Sequence, residues 1–201
     1  MTLPPPDAGT IDSASVGDAA RFLSVAALER ALAALAPTPT DRGRVARIVR
    51  RVAGGTREVL ERVELGPGSG IPGDAWGRKA GRDEAMQLAI MQLDVATVIA
   101  NGQPIELFGD NLFLDLDLSN GNLPLGSRVR AGAVLLEVTP MPHNGCKKFR
   151  ARFGEEALRF VQAPALRHRN LRGIYLRALT TGEVAAGDAV EVVSRPEAPR
   201  P

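Results

Sequence analysis

Chain breakers constrain this sequence more than any other feature: 21 glycines and 15 prolines interrupt its 201 residues. Between them lie short stretches in which apolar and polar side chains alternate, the period of a half-buried strand. VARIVRR, beginning at Val45, alternates in this way, and a turn at Ala53-Gly54-Gly55-Thr56 leads into TREVLERVEL, which alternates again. The pair predicts a hairpin. Leu112, Leu114, Leu116 and Leu118 occupy every second position, AVLLEVT runs up to Pro140, and GIYLRALTTGEVAAGDAVEVV is cut by Thr-Gly and Ala-Gly-Asp turns. Many short strands so punctuated predict a mostly β fold, a barrel with peripheral helices over its ends or sides.

Helical signals are fewer. Ser24 is placed to cap a helix over residues 25–36, with Leu28, Leu32 and Leu35 on one face and Pro37 and Pro39 beyond its end. Residues 84–101 fit both periods and read as a short strand followed by a helix to Ala100, closed by Asn101-Gly102. KKFRARFGEEALRFV, from Lys147, suits helix. The glycine- and proline-rich residues 66–74 form a shaped loop rather than regular structure. One domain is expected, with no internal repeat: a flexible N-terminal arm over 1–22, a helix and linker over 23–43, the barrel over 44–194 and a tail over 195–201.

Lys plus Arg total 25 against 23 for Asp plus Glu, so the net charge of +2 gives no global reason to expect a nucleic-acid partner. The single cysteine excludes an intramolecular disulfide and fits a reducing compartment. The start of the chain lacks the layout of a signal peptide, and no apolar stretch approaches the length of a membrane span. A cytoplasmic protein without membrane association is expected.

Reactive residue types concentrate in TPMPHNGCKKFRARFG, which puts His143, Asn144, Cys146, Lys147, Lys148, Arg150 and Arg152 within ten residues, directly after a predicted strand. A thiolate is the nucleophilic form of cysteine, and cations or a helix N-terminus favour it. Cys146 has both at hand, His143 is a candidate base or anion-positioning group, and the opposing reading is a small inert core thiol. Between His143 and Gly173 eight basic residues face two acidic ones, Glu155 and Glu156. With few aromatics interleaved, this patch suits a small anionic ligand better than a nucleic-acid strand. Gly109, Asp110 and Asn111 read first as a turn. Asp74, with Trp76 and Arg78, either lines a pocket or pairs with an arginine.

The ordered set IPGD, GDNLFLDLDLSNGNLPLGSRV, AVLLEVTPMPHNGCKKFRARFG, RGIYLRAL and GEVAAGDAVEVV resembles the MOSC domain, the module at the C-terminus of molybdenum cofactor sulfurases, from about Arg44 to Val193. The resemblance implies a MOSC-like β-barrel, binding of molybdenum cofactor or a related pterin, and sulfur carriage or transfer through a cysteine persulfide. It implies Cys146 as the sulfur-bearing thiol, with Asp74, Asn111, His143 and Lys147 as ligand contacts; Asn144, Lys148 and Arg150 join them as neighbouring candidates, and no residues are assigned to a metal.

No aminotransferase-like domain is attached, so no pyridoxal phosphate is expected in this chain, and sulfur would come from an external donor such as a cysteine desulfurase. A molybdoenzyme is a candidate acceptor. The alternative is a binding module without turnover, gripping a small anionic cofactor or metabolite while the thiol is incidental.

Overall fold

The structure is a computed structural model that describes residues 10–11 and 17–196. Strand β2 (Arg42–Arg51) is the hinge of the architecture. Its first half pairs on one side with β11 (Ala189–Ser194), its middle on the other side with β6 (Leu112–Leu114), and its far end with β3 (Arg57–Leu60). From β11 the sheet runs through β7 (Arg128–Ala131), β8 (Val134–Val138), β9 (Ile174–Ala178) and β5 (Leu88–Gln92) to β6, which returns to β2 and closes a seven-stranded barrel. All neighbours are antiparallel except β5 and β6. Closure leaves no edge strand within the barrel itself.

Alternation sorts side chains between two cores. Leu88, Ile90, Leu112, Leu114, Leu116 and Leu118 fill the barrel with Val129, Leu136 and Val190. Met91 and Phe113 point the other way, into a helical layer built from Leu28, Ile99, Phe108, Phe149, Phe153 and Phe160. All five residues of β5 are therefore buried, because both faces of that strand are covered. This double cover explains why residues 84–101 fit two periods at once. The strand followed by helix α2 (Leu93–Ala100), closed by left-handed Asn101, is as expected.

Helix α1 (Val25–Ala33) starts at its expected cap, Ser24, whose hydroxyl accepts from Ala27 N–H at 3.3 Å. It ends three residues earlier than the sequence suggested. The predicted helix after Cys146 is two: α3 (Lys147–Phe153) and α4 (Glu155–Gln162) meet at Gly154, whose φ of 91° and ψ of 165° break the helix, and a methyl there would press on the Phe22 ring. TREVLERVEL also divides, since only β3 pairs with β2 while β4 (Arg62–Leu65) leaves to pair with β10 (Gly182–Ala185).

Segments on either side of the barrel make contacts with it. β1 (Thr10–Ile11) pairs with Arg57 and Glu58 of β3, Gly17 N–H donates to Ala151 O, and Asp18 N–H donates to Gln103 Oε1 at 2.8 Å. These parts of the expected flexible arm are held by the fold; the rest of that assignment, residues 1–9 and 12–16, lies outside the described residues. In the expected C-terminal tail, Arg195 donates to Asn122 O and pairs with Asp41 at 2.8 Å, and residues 197–201 lie outside the description.

Candidate functional site

The site grows from the turn that precedes β6. A 3-10 turn over Ile105–Phe108 ends at left-handed Gly109, and the next two residues, Asp110 and Asn111, are fully buried. Burying two polar side chains in succession is costly unless each is satisfied, so their partners define the geometry.

Asn111 faces β2 and the 66–74 loop. Its Oδ1 accepts from Ala89 N–H at 3.1 Å and from Arg51 at 3.2 Å, while its Nδ2 donates to Val49 O at 3.2 Å and to Asp74 Oδ1 at 3.1 Å. Asp74, 2% exposed, receives Arg51 through Nε at 3.0 Å and Nη2 at 2.5 Å, and takes the backbone N–H groups of Arg51 and Trp76. Burial alone would raise the Asp74 carboxyl; the Arg51 guanidinium and two backbone donors overcome it and hold the group below the usual carboxylate range. Asp74 and Asn111 thus lock the glycine-rich loop to the barrel, and their bonding capacity is spent within the protein.

Asp110 faces the opposite way. Its Oδ2 accepts from Arg172 Nη1 at 2.6 Å, and its Oδ1 lies 3.4 Å from His143 Nδ1. That second contact is not an ion pair: burial, then the Arg172 charge, drives the His143 pKa down from 6.5 to about 3, with Asp110 only partly opposing. The neutral ring packs at a tilt against Tyr175, with ring centroids 4.4 Å apart. Gly173 makes room for this arrangement. Its φ is 91°, and a methyl there would collide with Ile90 O and approach His143 Nδ1.

Four guanidinium groups surround the 107–110 backbone. Arg51 donates to Gly109 O at 3.4 Å, Arg152 to Leu107 O at 2.9 Å, and Arg172 to Phe108 O at 3.3 Å while lying over the Phe108 and Phe149 rings. Arg57 is 5% exposed, and burial together with the charges of Arg152 and Arg51 lowers its pKa to about 10. Arg57 Nε and Arg172 Nε are buried with no hydrogen-bond partner.

Cys146 is exposed, in extended conformation immediately before α3, and near enough for its thiolate to be felt by Arg152 and Tyr175. This disposes of the inert core thiol. A cleft of about 570 Å³ opens beside it, between His143 and Asn144 on one side and Gln162, Arg167, Asn170 and Arg172 on the other. Cys146 borders this cleft in sequence but is not part of its lining. Lys147 and Lys148 are exposed on the first turn of α3, and Arg150 turns to Glu155 at 3.4 Å.

The sequence-predicted residues therefore separate into groups. His143 and Asn144 share the cleft, Cys146 stands next to it, Asp74 and Asn111 brace it from behind, and Lys147, Lys148 and Arg150 lie on the outer surface of α3. Sequence reasoning missed Arg51, Arg57 and Tyr175 and read Asp110 as turn chemistry. Arg51 and Arg57 sit in a run of arginines of which Arg44 and Arg62 are exposed and Arg47 is buried, so no local signal distinguished them. Among the described residues, no three His, Cys, Asp or Glu side chains converge as a metal-holding group.

A family model for the MOSC domain matches residues 77–191, a span that leaves out β2 and β3 and with them Arg51, Arg57 and Asp74. Several solved structures are similar, three of them as follows. The YUAD protein from Bacillus subtilis aligns with a TM-score of 0.57 and 19% identity, over 75% of this chain and 95% of that one. A hypothetical protein aligns at 0.54 and 20%, over 77% and 69%. YiiM from Escherichia coli aligns at 0.50 and 23%, over 76% and 71%. At these identities the likeness establishes a common fold. Comparison with curated proteins gives no match.

Proposed function

The chain belongs to the MOSC domain family, and from that premise we propose that it binds molybdenum cofactor, or a related anionic ligand, beside Cys146 and carries sulfur on that residue as a persulfide. The observation that carries this reading is the juxtaposition of an exposed thiol with a cleft whose walls hold Arg167 and the buried Arg172.

The residues present fit such a ligand. Arg172, in the cleft wall, buries a guanidinium Nε with no hydrogen-bond partner, a group that favours a nearby anion. Arg172 and Arg167 would hold the anionic end, with His143 and Asn144 on the facing wall. When bound, the cofactor supplies a metal centre able to accept a sulfur ligand. The protein's own part is to orient and exclude: Asp110 and Tyr175 pack against the His143 ring, and Asp74 with Asn111 anchors the glycine-rich loop.

The loading step balances without a redox partner. The Cys146 thiolate attacks the outer sulfur of a donor persulfide, such as one on a cysteine desulfurase; an S–S bond forms at Cys146 as the donor's breaks, and the donor sulfur leaves as a thiolate and takes up a proton. His143, whose protonation burial and the Arg172 charge oppose down to about pH 3, stays neutral and serves as a fixed wall of the cleft rather than as a base. A reducing, cytoplasmic setting and a molybdoenzyme acceptor belong to this proposal, and nucleic acid does not.

The test is mass spectrometry of the chain incubated with a desulfurase and cysteine. A mass gain of one sulfur, reversed by reductant and absent from Cys146→Ser, is expected; no gain in the unmodified protein would sink the carrier reading. One observation favours the second reading, a binding module without turnover: Cys146 does not line the cleft, so a ligand can fill it without touching sulfur. Cofactor affinity that survives Cys146→Ser, in a chain that never loads sulfur, would select that module.

A further inference from the structure

The 3-10 turn over Pro164–Arg169 has two sides. Arg167 faces the cleft described above, while His168 and Arg169 line a second cavity of about 330 Å³, beneath the end of α1. The far wall is rigid. Thr38 Oγ1 donates to Asp94 Oδ2 at 2.5 Å, Gln92 Nε2 donates to Asp94 Oδ1 at 2.8 Å and to Thr38 Oγ1 at 3.2 Å, and Gln92 Oε1 accepts from Leu118 N–H at 3.0 Å. Asp117, also in the lining, accepts from the N–H and hydroxyl of Ser119 at 2.8 and 3.0 Å, which fixes the carboxylate in place.

What distinguishes this cavity is a pair of opposite charges that do not meet. Many of the chain's arginines find carboxylates, as Arg159 does with Glu156 at 2.7 Å and Arg42 with Glu191 at 3.0 Å. Asp117 and Arg169 share one small cavity, yet among the described residues neither is in an ion pair. Leu32 of α1 and Leu35 just beyond its end add an apolar strip.

We infer that this cavity is a binding site for a small zwitterion of α-amino-acid size, its carboxylate on Arg169, its ammonium on Asp117 and a short apolar side chain against Leu32 and Leu35. A simple anion would meet the Asp117 charge and a simple cation that of Arg169, so only a ligand carrying both signs satisfies both walls. The volume lies at the small end of the range for ligand pockets. The site goes beyond the Cys146 reading and stands or falls without it.

The full chain, titrated with L-leucine, tests this by 1H–15N NMR at the amides of Asn120, His168 and Arg169. Saturable shifts are expected. Binding should weaken by about tenfold or more for 4-methylpentanoate, which lacks the ammonium, and for isoamylamine, which lacks the carboxylate. Arg169→Gln and Asp117→Asn should each weaken L-leucine binding by a similar factor. Arg169→Gln removes a side chain with no ion-pair partner, so that variant keeps the test decisive even if Asp117→Asn unfolds. The absence of a saturable shift, equal binding of the acid or the amine alone, or unchanged affinity in Arg169→Gln would each overturn the assignment.

Discussion

His143 Nδ1 lies 3.4 Å from Asp110 Oδ1, and neither buried atom has a hydrogen-bond partner. The contact couples the segment that bears Cys146 to the turn before β6, so the position of the thiol depends on the barrel as well as on its own loop.

This pair makes stability pH-dependent. His143 titrates near 6.5 when unfolded and at about 3 when folded, so between those values the unfolded chain binds the extra proton. Stability is full above about pH 6.5 and falls as pH drops through that window, by up to about 1.4 kcal/mol per pH unit. Asp74 adds the same sign at lower pH, because its depressed carboxyl loses its advantage as the unfolded carboxylate protonates. Urea denaturation across the window should show a shallower slope for His143→Gln; an unchanged slope would mean that His143 titrates normally in the fold.

Removing Asp74 should be severe. Asp74→Ala leaves the Arg51 guanidinium, three-quarters buried, without its carboxylate, and Asn111 Nδ2 without one acceptor. A loss of about 3–5 kcal/mol is expected from chemical denaturation. A loss below about 1 kcal/mol would show that the loop does not depend on this lock.

Gly173→Ala tests the crowding behind His143. The left-handed φ disfavours any side chain, and the methyl has Ile90 O in its way. Destabilisation by about 1–3 kcal/mol is expected, with a shift in the Tyr175 and His143 resonances; a neutral substitution would show that the strands move apart easily.

Cys146→Ser should leave stability within about 0.5 kcal/mol of the parent, since the thiol is exposed, while sulfur loading disappears. Thermal melting and mass spectrometry on the same samples separate the two effects. Leu116→Ala is the contrasting control: its side chain is wholly buried in the barrel, and a cost of about 2–5 kcal/mol is expected with sulfur loading per folded molecule retained.

Much of the barrel was legible because its signal is local. The alternation of Leu112 to Leu118 reports one buried face whatever the partner strand, and all four leucines are fully buried even though β6 itself ends at Leu114. Ser24 and Asn101 terminate helices by their own side-chain and backbone chemistry. The break at Gly154 was less legible, since a single glycine inside a helical pattern is compatible with either outcome until Phe22 packs against it.

The site divides along the same line. Cys146, His143 and Asn144 could be found because they are neighbours in sequence, within a segment of unusual composition. Arg51, Arg57 and Asp110 could not, because β2, β3 and the turn before β6 meet only when the barrel closes. Sequence alone determined the strands, their faces, the family resemblance and the reactive segment, all properties carried by residues a few positions apart. Tertiary structure decided which carboxylate holds which arginine, which guanidinium remains unsatisfied and where the cavities lie, because charge pairing and burial depend on distances between segments that no local pattern encodes.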